Sequence, residues 1–203
     1  MNDNVFEKIS TYYDELVTVY GHDPKSCDYG QSASQRSKFC VLSSCADYSG
    51  KSVLDIGCGF ADYYDFLSAK YPHIDYHGVD LSVSMISMAR KIHPNLHLEV
   101  RNVFENAPEK KYDIVTANGI FYLLGNNAWK LMCCFIQKMY DMSEEVVAFN
   151  SLSTWTKDKE IGEFYANPEK TLAFCKTISP WVALRHDYHS RDFSIFIYKN
   201  RNL

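Results

Sequence analysis

Two glycines, Gly57 and Gly59, stand in the run Val53-Leu54-Asp55-Ile56-Gly57-Cys58-Gly59-Phe60-Ala61, after a short apolar stretch and before a helical one. Glycine tolerates positive φ and lets a ligand come close to the backbone. In an alternating α/β chain, the first strand-to-helix turn is where a nucleotide-bearing cofactor sits. Asp80 ends the next apolar stretch, 23 residues after Gly57, and a carboxylate there accepts hydrogen bonds from two ribose hydroxyls. A dinucleotide fingerprint wants a glycine at position 62, which is Asp62 here. Asp55 and Asp62 would also repel a pyrophosphate. The pattern points to a nucleoside cofactor that is cationic and carries no phosphate.

The elements that position these residues alternate from Gly50 onward. Strands are expected over 52–56, 75–80, 96–100, 112–118 and 145–150, with helices over 60–70, 82–92 and 128–140. Short apolar strands alternating with helices build a parallel sheet. The stretches 181–188 and 192–199 read as a closing antiparallel hairpin. Before the alternation, Val5, Ile9, Tyr12, Leu16 and Tyr20 fall at helical spacing, and a second helix is expected over 34–47. The whole chain, 1–203, reads as one domain. Residues 1–48 are an N-terminal helical extension or lid, and 151–168 are a substrate-side insert.

VLDIGCGFA, HGVDLS and YDIVTANGIFYLL, in that order and at natural spacing, resemble the first, second and fourth-strand motifs of the class I, Rossmann-like S-adenosylmethionine-dependent methyltransferases. The resemblance covers residues 50–150. It implies an α/β, doubly wound, mainly parallel seven-stranded sheet with helices on both faces and the last strand antiparallel. It also implies S-adenosyl-L-methionine as cofactor. Gly57 and Gly59 would line its methionine part with their backbone, and Asp55 would orient its amino group. Asp80 would bind the ribose. Asn102 stands where the family has an Asp for the adenine amine, and Val103 would contact the adenine ring. Asn118 and Gly119 would lie beside the methionine portion. Cys58 and Leu81 complete the cofactor set, with Arg36, and Gln35 beside it, reaching for the carboxylate. Ala61 takes the place of the family's third glycine.

The acceptor site is expected where three segments converge: the N-terminal tyrosines Tyr12, Tyr13, Tyr20 and Tyr29 with the polar run Gln31 to Arg36, the insert 151–168, and the turn 185–192. Tyr12, Tyr13, Tyr122 and Trp155 are the candidate substrate residues. His186 and Tyr188 are the candidate catalytic pair, because alternation along a strand puts them on one side. The acceptor is expected to be a small molecule. The stretch Asn118-Gly119-Ile120-Phe121 is not the Asn-Pro-Pro-Tyr type used on base and glutamine amino groups. A protein or tRNA acceptor, and a non-catalytic cofactor-binding subunit, are the alternatives.

Composition limits the partners. The chain of 203 residues is 46% hydrophobic and 23% charged, with a net charge of −4, a globular make-up rather than a disordered one. The mild acidity and lack of Lys/Arg runs argue against a nucleic-acid surface. No apolar run approaches the roughly 20 residues of a membrane span, and MNDNVFEKIS is no signal peptide, so a cytoplasmic location is expected. The seven cysteines have no zinc spacing, and no metal is expected. His73, His77, His93 and His97 read as structural.

Overall fold

The computed structural model describes residues 3–28 and 32–200. Tyr29 and Gln31 of the sequence reading lie outside them. All seven strands form one sheet in the order β3-β2-β1-β4-β5-β7-β6. These are β1 (Ser52–Ile56), β2 (Asp75–Asp80), β3 (His97–Val100), β4 (Tyr112–Ala117), β5 (Ser143–Leu152), β6 (Val182–Arg185) and β7 (Asp192–Tyr198). The first five pair in parallel, and β7 runs antiparallel to both β5 and β6. The last strand of the chain is thus inserted between its two predecessors, and β6 points the same way as β1 to β5.

Both faces of the sheet are covered, so the strands are apolar on both sides. Leu54, Val115, Val147, Phe149 and Ile195 pack with α5 (Ala128–Met142) and α6 (Pro168–Ile178) on one face. Val53, Ile114, Ala148 and Phe196 pack on the other with α2 (Ser32–Leu42), α3 (Asp62–Ser68) and α4 (Val83–Ile92). The helices start where capping chemistry allows. The Ser82 hydroxyl accepts from the Met85 amide at the head of α4. Asn167 accepts from Lys170, with Pro168 in the first turn of α6.

Helix α1 (Asp3–Tyr20) lies across the carboxyl ends of the strands. Ser10 Oγ donates to the Leu81 carbonyl (3.0 Å). Asp14 Oδ1 accepts from Ser82 Oγ (2.5 Å) and the Ser84 amide (2.9 Å). A carboxylate from α1 therefore caps the N-terminus of α4, where helix amides are otherwise unpaired.

Two expectations change. Residues 168–178 are a helix that the apolar pattern alone did not reveal. The strand expected over 181–188 ends at Arg185. Just beyond it the Arg185 guanidinium pairs with Asp187, with Nε–Oδ1 at 2.8 Å and Nη2–Oδ2 at 2.9 Å, in backbone that no longer belongs to the strand.

Candidate active site

At the carboxyl ends of the parallel strands lies a cavity of about 240 Å³. Its floor is the turn after β1. Gly57 (φ 75°), Gly59 (φ 54°) and Ala61 (φ 66°) all sit in the left-handed region. A side chain at Gly57 would collide with Ile120 Cγ2. Ala61 is fully buried and holds a conformation better suited to glycine.

Three carboxylates, Asp55, Asp62 and Asp80, lie around this floor. Asp55 lies at the end of β1, 3% exposed, accepting from Tyr76 Oη (2.5 Å) and Thr116 Oγ1 (3.0 Å). Burial, helped by the charge of Asp80, pushes its pKa up to about 6 despite those bonds. Asp80 accepts from the Gly59 amide through Oδ2 and the Ser82 amide through Oδ1, both at 2.9 Å. Burial raises its pKa as well. A carboxylate has about four acceptor positions, so each Asp80 oxygen keeps one for a ligand hydroxyl. Asp62 is held by Gln35 Nε2 and His22 Nε2, both at 3.1 Å. Closely set, desolvated carboxylates hold their charge best beside a cation.

The apolar end of the cavity is lined by Phe6, Ile9, Val103, Phe121, Leu124 and Phe135. Asn102 borders it, but its side-chain oxygen is engaged by the Phe104 amide (3.0 Å) in a local turn. Only the second lone pair and the NH₂ remain for a ligand. Asn118 is positioned by Asn150, whose Nδ2 donates to Asn118 Oδ1 while its Oδ1 accepts from the Gly119 amide, each at 2.7 Å.

The opposite end is polar. Lys38 of α2, Asp192 of β7 and His189 of the preceding turn meet there. Asp192, 2% exposed, lies 3.2 Å from Lys38 Nζ and 2.9 Å from His189 Nδ1. Burial works to raise the Asp192 pKa, but the His189 and Lys38 contacts outweigh it and the net shift is downward. His189 Nε2 is 3.2 Å from Ser34 Oγ, and the Arg191 amide reaches Nδ1 at 3.2 Å. Arg191 pairs with Glu163 of the insert (2.9 Å).

The structure brings Asp55, Gly57, Cys58, Gly59, Asp80, Leu81, Asn102, Val103, Asn118, Gly119, Tyr13 and Tyr122 to the cavity wall. Tyr13 Oη and Tyr122 Oη are 2.7 Å apart, and Tyr122 donates to Asp28 (2.7 Å). Burial pushes both phenols far above their ordinary pKa. Five expected residues are not in the wall. Arg36 stacks its guanidinium over Phe66 (5.7 Å). Tyr12 stands behind Tyr13, ring to ring at 5.3 Å. Trp155 is 53% exposed and packs on His186 at 5.1 Å. His186 also stacks on Phe193 (6.3 Å), whereas Tyr188 bonds Ser194 Oγ (2.8 Å). Phe193 and Ser194 are neighbours in β7 and point to opposite faces. His186 and Tyr188 therefore lie on different faces, because the strand alternation that would align them stops at Arg185. The polar end belongs instead to His189, Arg191 and Asp192 from the same turn, with Lys38, which the sequence reading passed over. A lone acid opening an apolar strand, as Asp192 does, was the available signal.

A family model described as a methyltransferase domain matches residues 47–190. The chain belongs to this methyltransferase family. A protein of Mycobacterium tuberculosis named as a methyltransferase is 29% identical over 159 residues, 73% of this methyltransferase and 93% of its own length. Trans-aconitate 2-methyltransferase of Methylobacterium nodulans is 33% identical over 76 residues, 37% of this chain and 30% of its own. Among solved structures, a DhpI–SAM–HEP complex superposes with a TM-score of 0.72 at 13% identity, covering 97% of this chain and 98% of that one. Magnesium protoporphyrin IX methyltransferase from Synechocystis PCC 6803, with bound SAH, gives 0.69 at 12%, covering 94% and 95%. These likenesses show that the methyltransferase has the class I, Rossmann-like fold. No helix of the described residues is long and apolar enough to cross a membrane.

Proposed function

We propose that this enzyme transfers the methyl group of S-adenosylmethionine to a small-molecule acceptor carrying an O–H or N–H, with His189 as the general base. The carrying observation is one cavity with two unlike ends: glycine turn, carboxylates and apolar slot at one, and the His189–Asp192–Lys38 group at the other. The cofactor fits the residues present. Asp80 has two lone pairs for ribose hydroxyls, the apolar slot takes a flat base, and Asp55 and Asp62 suit an amine and a sulfonium better than any anion. When bound, it supplies a methyl carbon on cationic sulfur, open to in-line displacement by the acceptor's lone pair.

The chain's own groups then orient and exclude water, and proximity of this kind supplies much of such a rate. To act as base, His189 must carry its proton on Nδ1, toward the Asp192 carboxylate 2.9 Å away, in place of accepting there from the Arg191 amide at 3.2 Å; that tautomer leaves the lone pair on Nε2, beside Ser34 Oγ. Nε2 takes the acceptor's proton, and Asp192 stabilises the resulting imidazolium. Residues 1–48 act as a lid through Phe6, Ile9 and Tyr13, and the insert joins them through Glu163. The size of the cavity, about 240 Å³, supports a small acceptor, as do proteins of similar sequence or fold named for trans-aconitate and magnesium protoporphyrin IX. Seven free cysteines suit a reducing cytoplasm.

A screen of cell metabolites with labelled S-adenosylmethionine identifies the acceptor. His189→Ala is then expected to lower kcat/KM by about 100-fold or more, with cofactor affinity by calorimetry unchanged. Asp80→Ala is expected to weaken cofactor binding by about 1.5–3 kcal/mol, the worth of hydrogen bonds to a charged group. Full turnover in His189→Ala overturns the base assignment. Unchanged affinity in Asp80→Ala overturns the ribose role of Asp80.

A further inference from the structure

Away from the cavity, β2 and β3 place two histidines side by side. His77 and His97 are direct partners in the parallel register, and their rings stack at 3.8 Å with planes 7° apart. Glu99 follows His97 by two residues on the edge strand β3, so it shares that face. Arg101 holds one carboxylate oxygen, Oε2, through Nε (2.7 Å) and Nη2 (2.6 Å). The other, Oε1, is left between the imidazoles, 2.7 Å from His97 Nε2 and 3.7 Å from His77 Nε2.

His77 Nε2 is the informative atom. The residue is 3% exposed, and Nε2 makes no hydrogen bond among the described residues. Its other nitrogen, Nδ1, is engaged by the Tyr112 hydroxyl. A buried polar atom without a partner costs about 1–3 kcal/mol, and this one faces a carboxylate oxygen and a second imidazole. Ligands about 2.0–2.1 Å from a tetrahedral zinc ion lie roughly 3.3 Å from one another. His77 Nε2 and Glu99 Oε1 stand 3.7 Å apart, close to that value, His97 Nε2 now hydrogen-bonds the same Glu99 oxygen at 2.7 Å, and the three ligand atoms all fall within 4.8 Å of one another. The outer hydrogen bond to Tyr112 is the kind that fixes the tautomer of a ligating histidine.

The geometry points to a zinc-binding site formed by His77 Nε2, His97 Nε2 and Glu99 Oε1, with water as fourth ligand, completed when the exposed His97 ring turns out of its stack on the fixed His77 ring so that both in-plane lone pairs meet at one ion; the ion ties the edge strand β3 to β2. Entry is from solvent past His97, whose side chain is 57% exposed. The charged groups facing the site are Arg101, which keeps Oε2, and Lys110, which lies over the Tyr112 ring at 4.8 Å and pairs with Asp75. Both oppose a cation, so the affinity rests on the three ligands. Sequence spacing could not show this site, because His77 and His97 meet only across the sheet.

The test is zinc alone, on the whole protein without cofactor. After dialysis against zinc, metal analysis should find one equivalent. Cobalt substitution should give the visible absorption of a tetrahedral ion, and zinc should raise Tm. His97→Ala and Glu99→Gln should each lose the bound equivalent and the Tm shift. The exposed His73→Ala should keep both. His97 is exposed, so its loss does not threaten folding, and circular dichroism checks this. No bound zinc in the unmodified protein overturns the site, as does zinc retained by His97→Ala.

Discussion

At the scale of single residues, Asp55 is the most consequential group. Its pKa stands at about 6, above the ordinary value near 3.9 of an unfolded chain. The ionised form is thus disfavoured by folding. Below about pH 4 the group is protonated in both states and costs nothing. Above about pH 6 it is ionised in both, and the full cost of about 3 kcal/mol is present. Asp55→Asn should therefore stabilise the ligand-free protein at pH 7 and lose that advantage by pH 4, as read from urea unfolding at each pH. A cationic ligand reverses the logic, since it favours the carboxylate. S-adenosylmethionine affinity should fall as pH drops below 6 in the natural protein and vary less in Asp55→Asn, as measured by calorimetry. If affinity is flat from pH 5 to 7 in both, Asp55 does not meet the amine.

At the scale of elements, the docking of α1 on α4 rests on Asp14. Burial works to raise its pKa, but the bonds from Ser82 and Ser84 prevail and the net shift is downward. A depressed carboxylate stabilises the fold above its unfolded pKa, and that stability is lost as pH falls through the folded one. Asp14→Ala should cost about 1–2 kcal/mol, as loss of a helix cap does, with the difference from the natural protein vanishing in acid. It should also weaken cofactor binding, because Phe6, Ile9 and Tyr13 ride on the same helix. Unchanged thermal stability in the variant would show that α1 is held by other contacts.

The parallel strands were readable because each is a short apolar run closed by turn residues, and β1 and β2 match their expected bounds. The helix at 168–178 was missed because its apolar side is narrow, although Asn167-Pro168 is a start signal. The glycine turn and Asp80 were readable because they are local. The turn 185–192 was placed at the acceptor site, but the grouping of its His189 and Asp192 with Lys38 was not readable, because their meeting depends on where β7 inserts. His186 and Tyr188 failed for a related reason: a side chain's face can be counted along a strand only while the strand lasts, and β6 ends at Arg185.

At the scale of the whole molecule, the charge of −4 and the pairing of cavity cations with acids leave little attraction for polyanions. Arg191 is tied to Glu160 and Glu163, Lys38 to Asp192, and Arg101 to Glu99. Binding to generic duplex DNA or RNA should be no tighter than about 100 μM at physiological salt, the weak end of non-specific affinity. Fluorescence anisotropy checks this. Submicromolar binding that collapses with salt would favour a nucleic-acid acceptor over a small molecule.

The insertion of β7 between β5 and β6 bears on how the chain is made. While a ribosome is still extending the chain, β6 has been synthesised but has no neighbour to pair with, since its sole partner strand is β7. The edge of β5 stays open for the same interval. Asp192, the residue that gathers Lys38 and His189, is the first residue of that late strand. The polar half of the cavity thus comes into being in the same event that completes the sheet. A nascent chain halted before Asp192 already contains the glycine turn, Asp80 and His189, yet it lacks the carboxylate that gathers His189 and Lys38. Long-range pairings of this kind are the slow ones to form, so the capacity to bind the methyl donor should precede the capacity to use it.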